Sequence, residues 1–107
     1  MSDSPFQPSA NGVAINTSTT SAAISLPNAS SVILITNRSQ SSAWVTWGTG
    51  TVPTAAFPTP GDTTGTWGVE VAPMAQVSVT AAMQDVYVAA VLLSGNGVMT
   101  FTPGDGV

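Results

Sequence analysis

The 107-residue chain contains no cysteine, no histidine and no lysine, and its one basic side chain is Arg38. Without cysteine there are no disulfides, which fits maturation in a reducing compartment. Without His or Cys the chain lacks the side chain that titrates near neutral pH, the thiolate nucleophile, and the nitrogen and sulfur ligands of structural zinc. Serines are abundant, but no base is present to activate one. Neither enzymatic chemistry nor a metal or other cofactor is expected. A single cation also gives a polyphosphate backbone almost nothing to bind, so nucleic acid is not an expected partner.

Charge of either sign is scarce. Five acids, Asp3, Asp62, Glu70, Asp85 and Asp105, face Arg38 for a formal charge of −4, and charged residues make up 6% of the chain against about a quarter in an ordinary soluble domain. Solubility rests on Ser, Thr, Asn and Gln. Sheet proteins guard exposed edge strands with Lys or inward-facing charges, and this chain has few to place there, so its edges are expected to be covered by copies of itself or by a partner. Long apolar runs are missing too: the longest, Val86 to Leu93, is eight residues, short of the roughly 20 that span a bilayer as a helix. No membrane partner is expected. Met1-Ser2-Asp3-Ser4-Pro5 has no positive segment followed by an apolar run, so a secretory signal is not expected either. The Asn-X-Ser/Thr triplets at Asn16, Asn28 and Asn37 are what chance yields in so Ser/Thr-rich a chain.

What is present is a series of short β-branched segments separated by turn-forming residues, the spacing of an antiparallel sandwich or barrel. No window carries an apolar 3.6-residue stripe, so no helix longer than about two turns is expected. Residues 1–12 hold Pro5, Pro8 and Gly12 around a lone Phe6 and read as an extended arm. The sandwich is expected over 13–102, with strands at Val13–Thr17, Ser21–Leu26, Ser31–Asn37, Ala43–Trp47, Val69–Val71, Gln76–Thr80, Asp85–Leu93 and Val98–Thr102. Val32-Ile33-Leu34-Ile35 is apolar on both faces and is the candidate centre of the core. Alternation along Ala43–Trp47 places Trp44 with Thr46 on one face and Val45 with Trp47 on the other, one tryptophan inside and one toward a surface. Gly95-Asn96-Gly97 is a strong hairpin turn. Residues 48–67, rich in Thr, Pro and Gly, form a long loop of the kind that is functional or ordered by a partner, and 103–107 read as a short tail.

The acids do not make a site. The segment from Asp62 to Glu70 lacks the residue order of a calcium loop. Glu70 with Asp85 is the one carboxylate pair in strand contexts, and nothing around it suggests the desolvated pocket that a glycosidase acid needs. Exposed aromatics on a sandwich can stack on sugar rings, but aromatic enrichment at protein interfaces assigns Trp44, Trp47 and Trp67 first to core and interface. The candidate partner-binding residues are Pro5, Phe6 and Pro8 in the arm, Arg38 in a turn where its guanidinium fork can meet a carboxylate, and Phe57 and Trp67 in the long loop.

Taken together, Val32-Ile33-Leu34-Ile35-Thr36-Asn37, Ala43-Trp44-Val45-Thr46-Trp47-Gly48 and the ending Thr100-Phe101-Thr102-Pro103-Gly104-Asp105-Gly106-Val107 resemble small β-rich virion proteins of tailed bacteriophages, capsid decoration or cement proteins above all. The resemblance implies an all-β, jelly-roll-like antiparallel β-sandwich of about eight strands. It further implies a homo-oligomer, dimer or trimer, made in the host cytoplasm and seated on the outer capsid against the major capsid protein. It carries no catalytic residues. Two other readings remain open, a carbohydrate-binding or lectin-like module using the Trp faces, and a head-fibre or tail-associated virion subunit.

Overall fold

A computed structural model describes residues 7–8, 12–26, 32–49, 52–80 and 86–105. Every regular element among them is a strand: β1 (Gln7–Pro8), β2 (Val13–Thr17), β3 (Ala22–Ser25), β4 (Val32–Asn37), β5 (Ala43–Thr49), β6 (Val69–Val71), β7 (Gln76–Thr80), β8 (Val86–Leu92) and β9 (Gly97–Asp105). One sheet runs β9-β4-β7 with β1 and β2 both on the far side of β9, and the second runs β3-β8-β5-β6. All the pairings are antiparallel. The chain is thus the all-β antiparallel sandwich expected of it.

The pairings are nested. β2 pairs with β9, β3 with β8, β4 with β7 and β5 with β6, which is what one long antiparallel hairpin yields when it is rolled into two layers. The layers form because the strands from β2 to β9 turn apolar residues toward one another across the sandwich. Ile33 and Ile35 of β4, Met99 and Phe101 of β9, Val45 of β5 and Val88, Ala90 and Leu92 of β8 are buried together, flanked by Val13, Ile15, Val77, Val79 and Trp47. Phe101 stands opposite Val13 on one side and Ile35 on the other, so a single apolar row crosses the sheet beneath the facing layer.

The end of β9 departs from expectation. The strand continues past Thr102 to Asp105 instead of leaving as a tail from residue 103, because Gly104 and Pro103 pair with Val32 and Ile33 while Asp105 and Gly104 pair with Gln7 and Pro8. Pro103 has no N–H to give, and it falls where the pairing on that side passes from β2 to β1. Two residues of the expected arm therefore belong to the sheet. Pro5 and Phe6 lie outside the described residues, as does Asp85.

One end of the sandwich is tied by a buried amide. The Asn37 side chain donates through Nδ2 to the carbonyls of Ser41 at 2.9 Å, Val71 at 3.1 Å and Ala72 at 3.2 Å. Its Oδ1 accepts from the Ser39 backbone N–H at 2.9 Å and the Ser39 hydroxyl at 2.7 Å. The turn after β4 is thereby fastened to the turn after β6, and Gly97 closes the corner, since a Cβ there would collide with the Ser39 side chain.

Candidate functional site

The second sheet has an outer face that is not polar. Along β5 and β8, Trp44 stands opposite Val91 and Thr46 opposite Ala89, and Ala89, Val91 and Thr46 are buried although they point away from the main core. What covers Ala89 and Val91 is the loop after β5. Ala55 and Phe57 pack over Ala89, Val91 and Trp44 as a second, smaller cluster, with the Phe57 and Trp44 rings 6.1 Å apart at a tilted angle. The Ala55 backbone N–H donates to the Ser21 hydroxyl at 2.9 Å, which pins the loop to the turn before β3. The alternation along β5 is as expected, with Trp47 half-buried against the core on the inner face and Trp44 on the outer face, where the loop half-buries it.

The loop also fixes Trp67, whose side chain is 62% exposed. Its ring meets Trp47 edge-on with centroids 4.6 Å apart, and its carbonyl accepts from the Trp44 indole Nε1 at 3.3 Å. Gly68 makes this approach feasible. Its φ of +142° belongs to glycine, and a Cβ would strike the Val45 carbonyl and lie 2.7 Å from the Trp44 indole nitrogen. Both site aromatics expected in the loop are thus brought to β5, Phe57 as a covering group over Trp44 and Trp67 as an exposed group over Trp47. An exposed aromatic already held in one orientation loses little freedom on binding.

Between the loop and the end of β8 lies an open groove of about 650 Å³ lined by Ala23, Val52, Pro53, Ala55, Phe57 and Leu93, with the hydroxyl residues of the 19–21 turn at one side. Its lining carries no charge. Val52 and Leu93 on its rim are mostly exposed.

Arg38 is exposed on the turn after β4, and it rims a shallow polar hollow of about 560 Å³ with Gln40, Ser94 and Asn96. That hollow is at a different place from the loop aromatics, so the sequence-derived candidates do not converge on one spot. Pro8 enters through its backbone pairing with Gly104. Asp62 caps its own turn: the Thr64 hydroxyl at 2.7 Å and the Thr64 N–H at 2.9 Å both donate to its Oδ1. These bonds, the hydroxyl first, hold its carboxyl below the usual carboxylate range although it is fully exposed. Among the described residues no three acidic side chains gather into a metal-binding group.

Sequence reasoning missed Asn37 as a buried junction and Ala55 as an anchor. An Asn at a strand end reads as a turn residue, and an alanine within a Pro/Thr-rich loop carries no local signal of burial. Comparison of the chain with protein-family models, with curated proteins and with solved structures finds no match.

Proposed function

We propose that the chain is a structural virion protein that decorates the outside of a bacteriophage capsid and stabilises it by bridging subunits of the major capsid protein, working as a homo-oligomer. The observation that carries this reading is the 52–68 loop. It is anchored through Ala55, Phe57 and Gly68, and it holds Trp67 exposed on a surface with few charges. Rigid exposed aromatics are the usual anchors of protein interfaces. The nested strand pairing supports the jelly-roll form of the sandwich. Near-neutral faces suit close-packed copies, because like charges on neighbours would repel.

Such a protein acts by mass action: binding only to the assembled shell stabilises that shell, by about 2.7 kcal/mol per site when the free protein stands about a hundredfold above its Kd. The test adds purified protein to capsids that lack it and follows retention by sedimentation and shell disruption by heating. Retention with a raised disruption temperature is expected, reduced by Trp67→Ala or by removing residues 2–11. Capsids that neither hold the protein nor gain heat resistance would end the reading. The exposed Trp67 face also favours a second reading, a carbohydrate-binding module, which glycan-array binding abolished by Trp67→Ala would support.

A further inference from the structure

A sandwich of two open sheets has four edges, and three of them are blunted. On the first sheet, the β1–β2 edge carries Pro8 and changes register between Pro8 and Val13. β2 also approaches β3 and β8 of the facing layer, and the Leu92 N–H donates to the Ser18 carbonyl just beyond it at 2.7 Å. On the second sheet, β6 is three residues long and bears Glu70, and β3 is four residues long with Pro27 two residues after its end. Short strands, charges, proline and covering segments are the devices by which sheet proteins avoid unwanted pairing.

Among the described residues the fourth edge has none of them. β7, Gln76-Val77-Ser78-Val79-Thr80, is five residues, all without charge or proline, and each pairs in unbroken register with β4. Its inward side chains, Val77 and Val79, are only half-buried while Gln76, Ser78 and Thr80 are exposed. No strand among the described residues pairs with its other side, which offers a row of backbone donors and acceptors beside an incompletely covered apolar strip.

We propose that two copies of the chain join through β7, antiparallel about a two-fold axis at Ser78, so that the first sheet runs continuously from one copy into the next. The strand is self-complementary in that arrangement. Opposite residues in an antiparallel pair share a face, so Val77 meets Val79 of the second copy on the core side, Gln76 meets Thr80 on the outer side, and Ser78 meets itself. Among two-fold registers this one pairs all five residues, and it brings no like charges together because there are none. A second copy fits the edge better than a charged partner strand would, since nothing on β7 could match a charge. Five residues span about 17 Å and bury less than the roughly 1,200 Å² of a standard stable interface, so pairing is concentration-dependent and is favoured where copies are crowded. The inference deepens the oligomer named in the proposed function, and it stands or falls on the edge alone.

The absence of cysteine from the chain permits a direct test. Paired antiparallel residues bring their Cα atoms to about 4.5–5.5 Å, within the range a disulfide bridges. Under mild oxidation Ser78→Cys should form a covalent dimer about a hundredfold faster than Gln76→Cys or Thr80→Cys alone, because pairing holds the two thiols at about 1 mM effective concentration against protein at about 10 μM. Mixing Gln76→Cys with Thr80→Cys should restore rapid linking between unlike chains. Ser78→Lys, on an exposed position, should keep the melting of the single chain and shift the mass in light scattering to the monomer, as two ammonium groups then face each other. Equal rates for the three single cysteines, rapid self-linking of Gln76→Cys, which signals parallel pairing, or an intact Ser78→Lys dimer would each overturn the proposal. An oligomer that forms without Ser78 linking would sink this interface and leave the capsid reading to its own test.

Discussion

Removing the Asn37 side chain should cost this protein more than removing most of its exposed residues. In Asn37→Ala the Ser39 N–H loses its acceptor, and the carbonyls of Ser41, Val71 and Ala72 lose the donor they share. The Ser39 hydroxyl still has the Ser41 carbonyl at 2.9 Å, so it is not orphaned. A buried polar group left without a partner costs about 1–3 kcal/mol. With the Ser39 amide stranded, the Val71 carbonyl deprived of its side-chain donor and a small cavity in place of the amide, the loss should be about 3 kcal/mol. For a domain of this size that lowers Tm by about 15 °C. Asn37→Asp keeps the volume and the acceptor but aims a second acceptor at three carbonyls, so at neutral pH it should cost at least as much. Thermal melts by circular dichroism, with urea unfolding to check that the m-value is unchanged, supply the measurement. A loss below about 1 kcal/mol for Asn37→Ala would mean that water replaces the amide without penalty, and the junction would not be what fastens the turns.

Three further outcomes follow from the loop and the charges. Gly68→Ala should destabilise the fold and weaken the near-ultraviolet circular dichroism of the Trp47–Trp67 pair, because the new Cβ collides with the Val45 carbonyl and the Trp44 indole; an unchanged spectrum would show that Trp67 is not held as described. Melting should be flat with pH around neutrality, where no histidine titrates. Asp62, with its folded pKa lowered, contributes stability that is fully present above its unfolded pKa and is lost as pH falls through the lowered value, so the Thr64 amide resonance should move only in acid, and movement near neutrality would refute the assignment. Melts with and without a chelator should superimpose, and a fall of several degrees on chelation would point to a cation held by the acids.

The strands were legible because the sequence alternates in short β-branched segments. β2, β6 and β7 occupy the expected spans, and β3, β4 and β8 lie within theirs. The partner of each strand was not legible, and the one pairing that local sequence suggested is corrected by the structure: Gly95-Asn96-Gly97 does not close a hairpin but carries the chain from β8 in one sheet to β9 in the other. Pairing Val13 with Phe101, or Ile24 with Val88, joins residues far apart in sequence whose choice depends on the closure of both layers at once, and no local pattern encodes it. The end of β9 was misread for a related reason. Pro103-Gly104 looks like a stop signal locally, but pairing with β4 and β1 overrides it. At the loop the gain was partial: Phe57 and Trp67 stood out as its large apolar groups, while the geometry that covers one and exposes the other depends on Gly68 and on the position of Trp44.

The scarcity of charge makes one more demand on any partner. If copies of the chain, or capsid subunits, were held to it by ion pairs, binding would weaken as salt shortens the Debye length from about 10 Å at 0.1 M to about 3 Å at 1 M. The surfaces that carry the reading are neutral: the Trp67 face, the groove between Val52 and Leu93, and the β7 edge. In the proposed reading their contribution is apolar burial and backbone pairing, which salt barely screens and which sulfate strengthens. Self-association and retention on capsids should therefore persist at 1 M sodium chloride and tighten in ammonium sulfate, as followed by light scattering and by sedimentation. Release of the protein by sodium chloride alone would locate the contact at Arg38 and the scattered acids, and the neutral surfaces would then have to be read as solvent-facing.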